Sequence, residues 1–273
     1  MPTPTPRLST RLAVLAVAAL LATSASGCVT MVDNAVADAI SAPASEVRAR
    51  HGADPMPGDP QTLMTRKTRP SASDRARAER LLRETREAIR PYRTVEAAEA
   101  AGYRMFPPEQ PVPVVHFVHR EWSEDEADGI DPRRPGALLY ERTPGGGLRL
   151  LGAMFTAPVD ATLEEMDRRV PLSVTQWHLH QNVCVPRPLW DEDEWARRRN
   201  GRPLFGPGGS AQTEAACRDI GGRFLPTVFG WMAHINAFAE SPTDVWNAHY
   251  GHGEHAGHGG DHGGMDHGGH DGH

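Results

Sequence analysis

The stretch that decides the fold spans residues 176–182 and reads Gln176-Trp177-His178-Leu179-His180-Gln181-Asn182. Polar and apolar side chains alternate along it, and a period of two is typical of a β-strand with one polar and one apolar face. His178 and His180 therefore project from the same side of the strand, about 7 Å apart. Trp177 and Leu179 take the opposite side, so the stretch predicts a half-buried strand with paired imidazoles.

The same period recurs along the chain, which predicts a mainly β fold. The segments are residues 112–119, 137–142, 148–156, 171–185 and 226–238. The second and third flank Pro144-Gly145-Gly146-Gly147, a pattern typical of a hairpin. We expect an α+β domain, either a small β-sandwich or an incomplete barrel, with a cupin-like shape as an alternative.

Helices are predicted at the start of this domain and within an insertion. Ser73 and Thr94 are expected to cap helices over residues 74–90 and 95–101, and a short helix is expected over 213–220. The acidic run at residues 121–129 lacks the ligand spacing of a calcium loop, and we interpret it as a solvated loop.

The chain has 14 histidines, and their placement is the main indication of function. His234, in residues 231–236, shares a strand face with Met232 and Asn236. Strict alternation sends His116 and His119 to opposite faces, and His116 is favoured because its neighbours are apolar. Imidazole suits zinc, copper, iron and nickel. The predicted site comprises His116, His178, His180 and His234, with His119 and Met232 as weaker candidates.

The end of the chain, residues 251–273, is rich in glycine and histidine and is predicted to be disordered. Glycine-spaced histidines bind zinc, copper or nickel with modest selectivity. The tail histidines predicted to bind metal are His252, His255, His258, His262, His267, His270 and His273.

The N-terminus predicts export. Arg7 and Arg11 precede an apolar run at residues 12–22 that is too short for a permanent membrane span. Ala25-Ser26-Gly27-Cys28 resembles the bacterial lipobox, although Ala25 stands where leucine is usual. Residues 1–27 are therefore interpreted as a signal peptide, Cys28 as the lipid attachment site, and the cell envelope as the location. Plain secretion is the alternative.

The remaining boundaries follow from composition and cysteine count. Residues 28–72 lack a sustained apolar period and are predicted to form a disordered tether, followed by a single β-rich domain over residues 73–250. If Cys28 carries lipid, Cys184 and Cys217 remain as a pair in an oxidising compartment, which predicts a disulfide. A net charge of -6 without a basic stripe argues against nucleic acid as a partner.

Part of the chain resembles a group of uncharacterised exported bacterial proteins. The resemblance rests on Pro135-Gly136-Ala137-Leu138-Leu139-Tyr140-Glu141 and on the Trp177-His178-Leu179-His180 strand, and it spans roughly residues 92–250. Members of that group tend to carry a histidine in the first strand, matched here by His116. The resemblance implies one exported domain and brings no reaction with it.

Three functions remain open at the level of sequence. The first is an envelope protein that carries or buffers copper or zinc. The second is a mononuclear metal-dependent enzyme, oxygenase-like or cupin-like, that uses the same histidines with an open coordination position. The third is a structural module whose histidines only form hydrogen bonds.

Overall fold

The computed structural model of the chain describes residues 43–108, 112–189 and 191–248. The predicted signal peptide, the predicted lipid attachment site at Cys28 and the tail histidines predicted to bind metal lie outside these residues. In the described part, no helix combines the length and apolar character that a membrane crossing requires.

An eight-stranded antiparallel sheet dominates the described chain, which confirms the predicted α+β class. In spatial order its strands are β1 (Asp54–Met56), β2 (Asp59–Met64), β7 (His178–Val185), β10 (Arg223–Ile235), β6 (Leu148–Ala157), β5 (Ala137–Arg142), β4 (Val114–Val118) and β3 (Arg104–Met105). A separate two-stranded ribbon pairs β8 (Arg198–Arg199) with β9 (Arg202–Pro203). Because β1 and β3 are both edges, the sheet is not closed into a barrel.

Seven α-helices accompany the sheet in the described part of the chain. In chain order they are α1 (Ala44–His51), α2 (Ala72–Ile89), α3 (Val95–Ala100), α4 (Arg120–Asp125), α5 (Leu163–Arg169), α6 (Glu192–Ala196) and α7 (Glu214–Asp219), with a 3-10 turn at Arg90–Tyr92. Ser71 caps α2 two residues before the predicted cap, because its hydroxyl accepts a hydrogen bond from the amide of Asp74 in a capping box. Thr94 caps α3 as predicted.

Residues 44–64 correct the prediction of a disordered tether. They form α1, β1 and β2, and β2 pairs with β7 near one edge of the sheet. His51 anchors α1, since its ring nitrogens lie 2.8 Å from the carbonyl oxygens of Val47 and Ala161. Leu63 is fully buried. Long-range pairing, rather than a local apolar period, orders this segment, so the folded domain begins before residue 73.

The two faces of the sheet differ in chemistry. One face carries the main apolar core, where Phe117, Phe155, Trp177 and Trp231 are buried with the apolar stripe of α2. The indole N–H of Trp177 donates to the carbonyl oxygen of Val170, so the ring is buried without a lost hydrogen bond. The opposite face carries the histidines.

A disulfide closes the insertion between β7 and β10. Cys184 and Cys217, 33 residues apart, are joined, which confirms the predicted pair. A loop of this length adds about 3–4 kcal/mol of stability in the chain-entropy model. The bridge lies in a second apolar cluster with Trp195 and Phe205, so the insertion has its own small core.

Candidate metal centre

Three strands bring the four favoured histidines onto one face of the sheet. His116 lies on β4, His178 and His180 on β7, and His234 on β10. The ring centroids are 5.5 Å apart for His116 and His234, 4.6 Å for His178 and His234, and 5.7 Å for His178 and His180. His178, His180 and His234 are buried, and His116 is half-buried. The rings thus form a continuous row in which each contacts the next.

Contact between His116 and His234 requires a strongly curved sheet. In the order of strands, β5 and β6 separate β4 from β10, and three strand spacings amount to about 14 Å in a flat sheet. The Nε2 atoms of His116 and His234 are nevertheless only 3.5 Å apart. The histidine face is therefore concave, and side chains from distant strands converge across it.

Gly152 on β6 allows this curvature. A Cβ atom at that position would lie 1.9 Å from the carbonyl oxygen of Ile235 and 2.8 Å from the amide nitrogen of Ala237. Real Cβ atoms do not approach backbone so closely, so glycine is required where the end of β10 crosses β6. The close crossing helps to position His234, one residue before Ile235.

A bulge in β10 sets its register against the β7 histidines. Val228 lies opposite His180 and Met232 opposite His178, so four steps along β10 match two along β7. The extra residues include Phe229 and Gly230, which have φ angles of 67° and 71°. A positive φ is unusual for phenylalanine, and bulges re-aim side chains at functional sites. The bulge brings Met232 opposite His178, and His234 follows on the same face.

Two residues of β2 orient His180. The hydroxyl of Thr62 donates to Oδ2 of Asp59 at 2.6 Å and lies 3.0 Å from Nδ1 of His180. A hydroxyl has one proton and the Asp59 carboxylate only accepts, so Nδ1 of His180 must donate to Thr62. This arrangement fixes the Nδ1–H tautomer and makes Nε2 the acceptor and potential ligand atom, as outer partners do in metal sites.

Sequence reasoning missed both of these residues. Asp59 and Thr62 fall in the segment assigned to the tether, which has no strand-like period long enough to signal β2. The one local signal is the apolar pair Leu63 and Met64 beside a threonine, and this is too short to predict a strand.

His119 has a different role from the other strand histidines. Its Nδ1 accepts a hydrogen bond from the amide of Trp122 at 3.3 Å and caps α4. Its ring stacks on Trp122 with centroids 4.2 Å apart and contacts Tyr103. The structure therefore does not bring His119 together with His116, in agreement with strict alternation.

The histidine row is not a closed ligand shell. Among the described residues, no three histidine, cysteine or carboxylate side chains have the spacing to hold a metal ion as they stand. His116 and His234 approach each other at the distance two ligands would need, whereas His178 and His180 follow along the row.

No protein-family model, curated protein or solved structure matches this chain. The side chains of the concave face are thus the basis for a functional proposal. They provide imidazole nitrogens, a hydroxyl and a carboxylate that orient one ring, and buried methionines.

A buried carboxylate lies apart from the histidine row. Glu126, placed by the sequence in a solvated loop, is only 2% exposed. Its Oε1 accepts from the amide of Gly136 at 2.8 Å, and its Oε2 accepts from the amide and hydroxyl of Thr156 at 2.7 and 2.6 Å. Burial raises its pKa to about 7, against the lowering effect of Thr156, Gly136 and the Arg169 charge. Glu126 therefore ties the α4 loop to β6.

We expect the contribution of Glu126 to the free energy of unfolding to fall as pH rises from about 5 to 8. The pKa of Glu126 lies near 7 in the folded chain and near its ordinary 4.5 in the unfolded chain. Below pH 4.5 both states hold the proton. Between these values only the folded state does, so the contribution is progressively lost and is gone above pH 7. The full loss is about 3 kcal/mol.

Urea unfolding at pH 5, 6, 7 and 8, with a chelator present, measures this slope. Glu126→Gln removes the titrating group and should flatten the profile relative to the parent. Glu121→Gln is the matched control, because Glu121 is an exposed residue of α4. Equal slopes in Glu126→Gln and the parent would show that Glu126 has no such role.

Proposed function

We propose that this chain is an exported, lipid-anchored envelope protein that binds one copper or zinc ion through His116, His178, His180 and His234 and carries or buffers it. The observation that supports the proposal most directly is the 3.5 Å separation between the Nε2 atoms of His116 and His234. These atoms come from strands that are far apart in the sheet order.

The separation matches metal coordination better than hydrogen bonding. Zinc–imidazole bonds are about 2.0–2.1 Å long, so two nitrogens at a tetrahedral ion lie about 3.4 Å apart. Hydrogen bonds from N–H groups to oxygen are usually about 2.9–3.0 Å long. A pair of nitrogens held at 3.5 Å is consequently close to the spacing of two ligands on one ion.

His178 and His180 are proposed as the further ligands. The His178 ring contacts the His234 ring edge-on at 4.6 Å, so its rotation about the side-chain bonds would direct a nitrogen toward the same point. His180 follows at 5.7 Å from His178, and its tautomer presents Nε2. Metal binding would thus require the histidine rings to rotate, while the strands that carry them stay paired.

The location is proposed from the sequence and is supported by the disulfide. Disulfides persist in oxidising compartments and are rare in the cytosol, and Cys184 and Cys217 form one in the described domain. The remaining cysteine, Cys28, follows the proposed signal peptide and would carry the lipid. The histidine-rich tail would collect additional ions loosely and exchange them with the domain.

The proposal is tested by measuring how many metal ions bind to the full-length chain in which the seven histidines at positions 252–273 are replaced by serine. After incubation with zinc or copper and desalting, we expect about one ion per chain. The melting temperature of the protein should rise, because a free ion concentration of 1,000 times the Kd stabilises the folded state by about 4 kcal/mol. If the protein elutes without metal and neither ion changes its melting temperature, the chain is a structural module instead.

A further inference from the structure

Methionines lie directly beside the histidines in the register of the sheet. His178 on β7 has Met64 opposite it on β2 and Met232 opposite it on β10. His234 on β10 has Met154 opposite it on β6. Cross-strand partners project from the same face with Cβ atoms about 4.5–5.5 Å apart. Three thioethers are therefore neighbours of two imidazoles on the concave face.

This placement is selective within the sheet. The described strands of the sheet contain five methionines, namely Met56, Met64, Met105, Met154 and Met232. Three of the five pair with His178 or His234, and all three are at most 7% exposed. Methionine packs irregular cores, but strands favour β-branched and aromatic residues for that purpose. Met154 and Met232 also pack in a small apolar cluster on this face with Leu139 and Leu151, so a ligand role has to be separated from packing by experiment.

We infer that the site is built for copper(I) rather than zinc, an inference that rests on the proposed metal-binding function. Thioether sulfur is a soft ligand that selects copper(I), whereas zinc takes imidazole, thiolate and carboxylate. Imidazole and thioether are both neutral ligands, so the buried site would carry only the charge of the ion. A single positive charge is far less costly to bury than a double one.

The proposed imidazole and thioether ligands occupy different parts of the histidine row. His116 and His234 supply the close pair of nitrogens, and Met154 lies beside His234. Met64 and Met232 flank His178 on both sides, so an ion drawn toward His178 meets sulfur from either neighbour. The ion enters and leaves as copper(I), with no electron transfer.

Isosteric substitutions separate a ligand role from a packing role. Met64→Leu, Met154→Leu and Met232→Leu remove the sulfur while keeping a similar volume, a change that usually costs less than about 1.5 kcal/mol of stability. Full-length protein with serine at the seven tail histidine positions is titrated anaerobically with copper(I) against bicinchoninate, with ascorbate as reductant so that the disulfide is kept. Zinc affinity is measured against a fluorescent chelator.

Copper(I) affinity should fall by about tenfold or more in at least one of the three variants, while zinc affinity changes less than twofold. Met166→Leu is the matched control, because Met166 is fully buried in α5 within the main apolar core. If none of the three substitutions changes copper(I) affinity and zinc binds tightly, the copper inference is overturned and the metal-binding function still stands. Parent protein that binds neither ion would overturn both.

Discussion

Gly152→Ala is expected to destabilise the domain severely. The added Cβ would lie 1.9 Å from the carbonyl oxygen of Ile235, 2.8 Å from the amide nitrogen of Ala237 and 2.8 Å from Cα of Asn236. All three atoms belong to the backbone, so no side chain can swing away to make room. The end of β10 would have to separate from β6, and we expect a loss of more than about 4 kcal/mol of stability.

Urea unfolding followed by circular dichroism measures this loss. Gly145→Ala is the matched control, because Gly145 lies in the β5–β6 hairpin turn and a Cβ there meets nothing within 4 Å. That variant should unfold at nearly the parent urea concentration. An unchanged midpoint for Gly152→Ala would mean that the close crossing of β6 and β10 is not a feature of the protein in solution.

The strands of the sheet could be predicted because their signal is local. Alternation along residues 176–182 predicts that His178 and His180 share a face, and the structure has both on the histidine side of β7. The hairpin is equally local. The amide of Gly146 donates to the carbonyl oxygen of Thr143, and Gly146 has a φ of 81°, a value that favours glycine.

The arrangement around the histidines could not be predicted, since it depends on contacts between distant residues. β2 is stabilised by pairing with β7, which lies more than 110 residues further along the chain. The roles of Asp59 and Thr62 could therefore not be predicted from the sequence. The register that sets Met154 opposite His234 depends on the antiparallel pairing of β6 with β10. The bulge at Phe229 shifts β10 by two residues, and periodicity along a single strand cannot reveal such a shift.

Simultaneous replacement of His116 and His234 by alanine is expected to abolish tight metal binding. Their Nε2 atoms lie 3.5 Å apart, close to the spacing of two ligands on one ion. Loss of both should raise the Kd by at least about 1,000-fold, equivalent to about 4 kcal/mol. The single variants should each show most of this loss, because one imidazole cannot hold the ion in place, so the two effects should not add.

His119→Asn provides the matched control for this experiment, in the same full-length chain with serine at the seven tail histidine positions. His119 follows directly after β4, yet its ring caps α4 instead of facing His234. Asparagine is a good capping residue, so this variant removes an imidazole while it preserves the helix start, and its Kd should equal that of the parent. If His119→Asn lowers affinity as much as the double variant does, loss of any histidine near β4 is sufficient. The close pair of His116 and His234 would then not be where the ion binds.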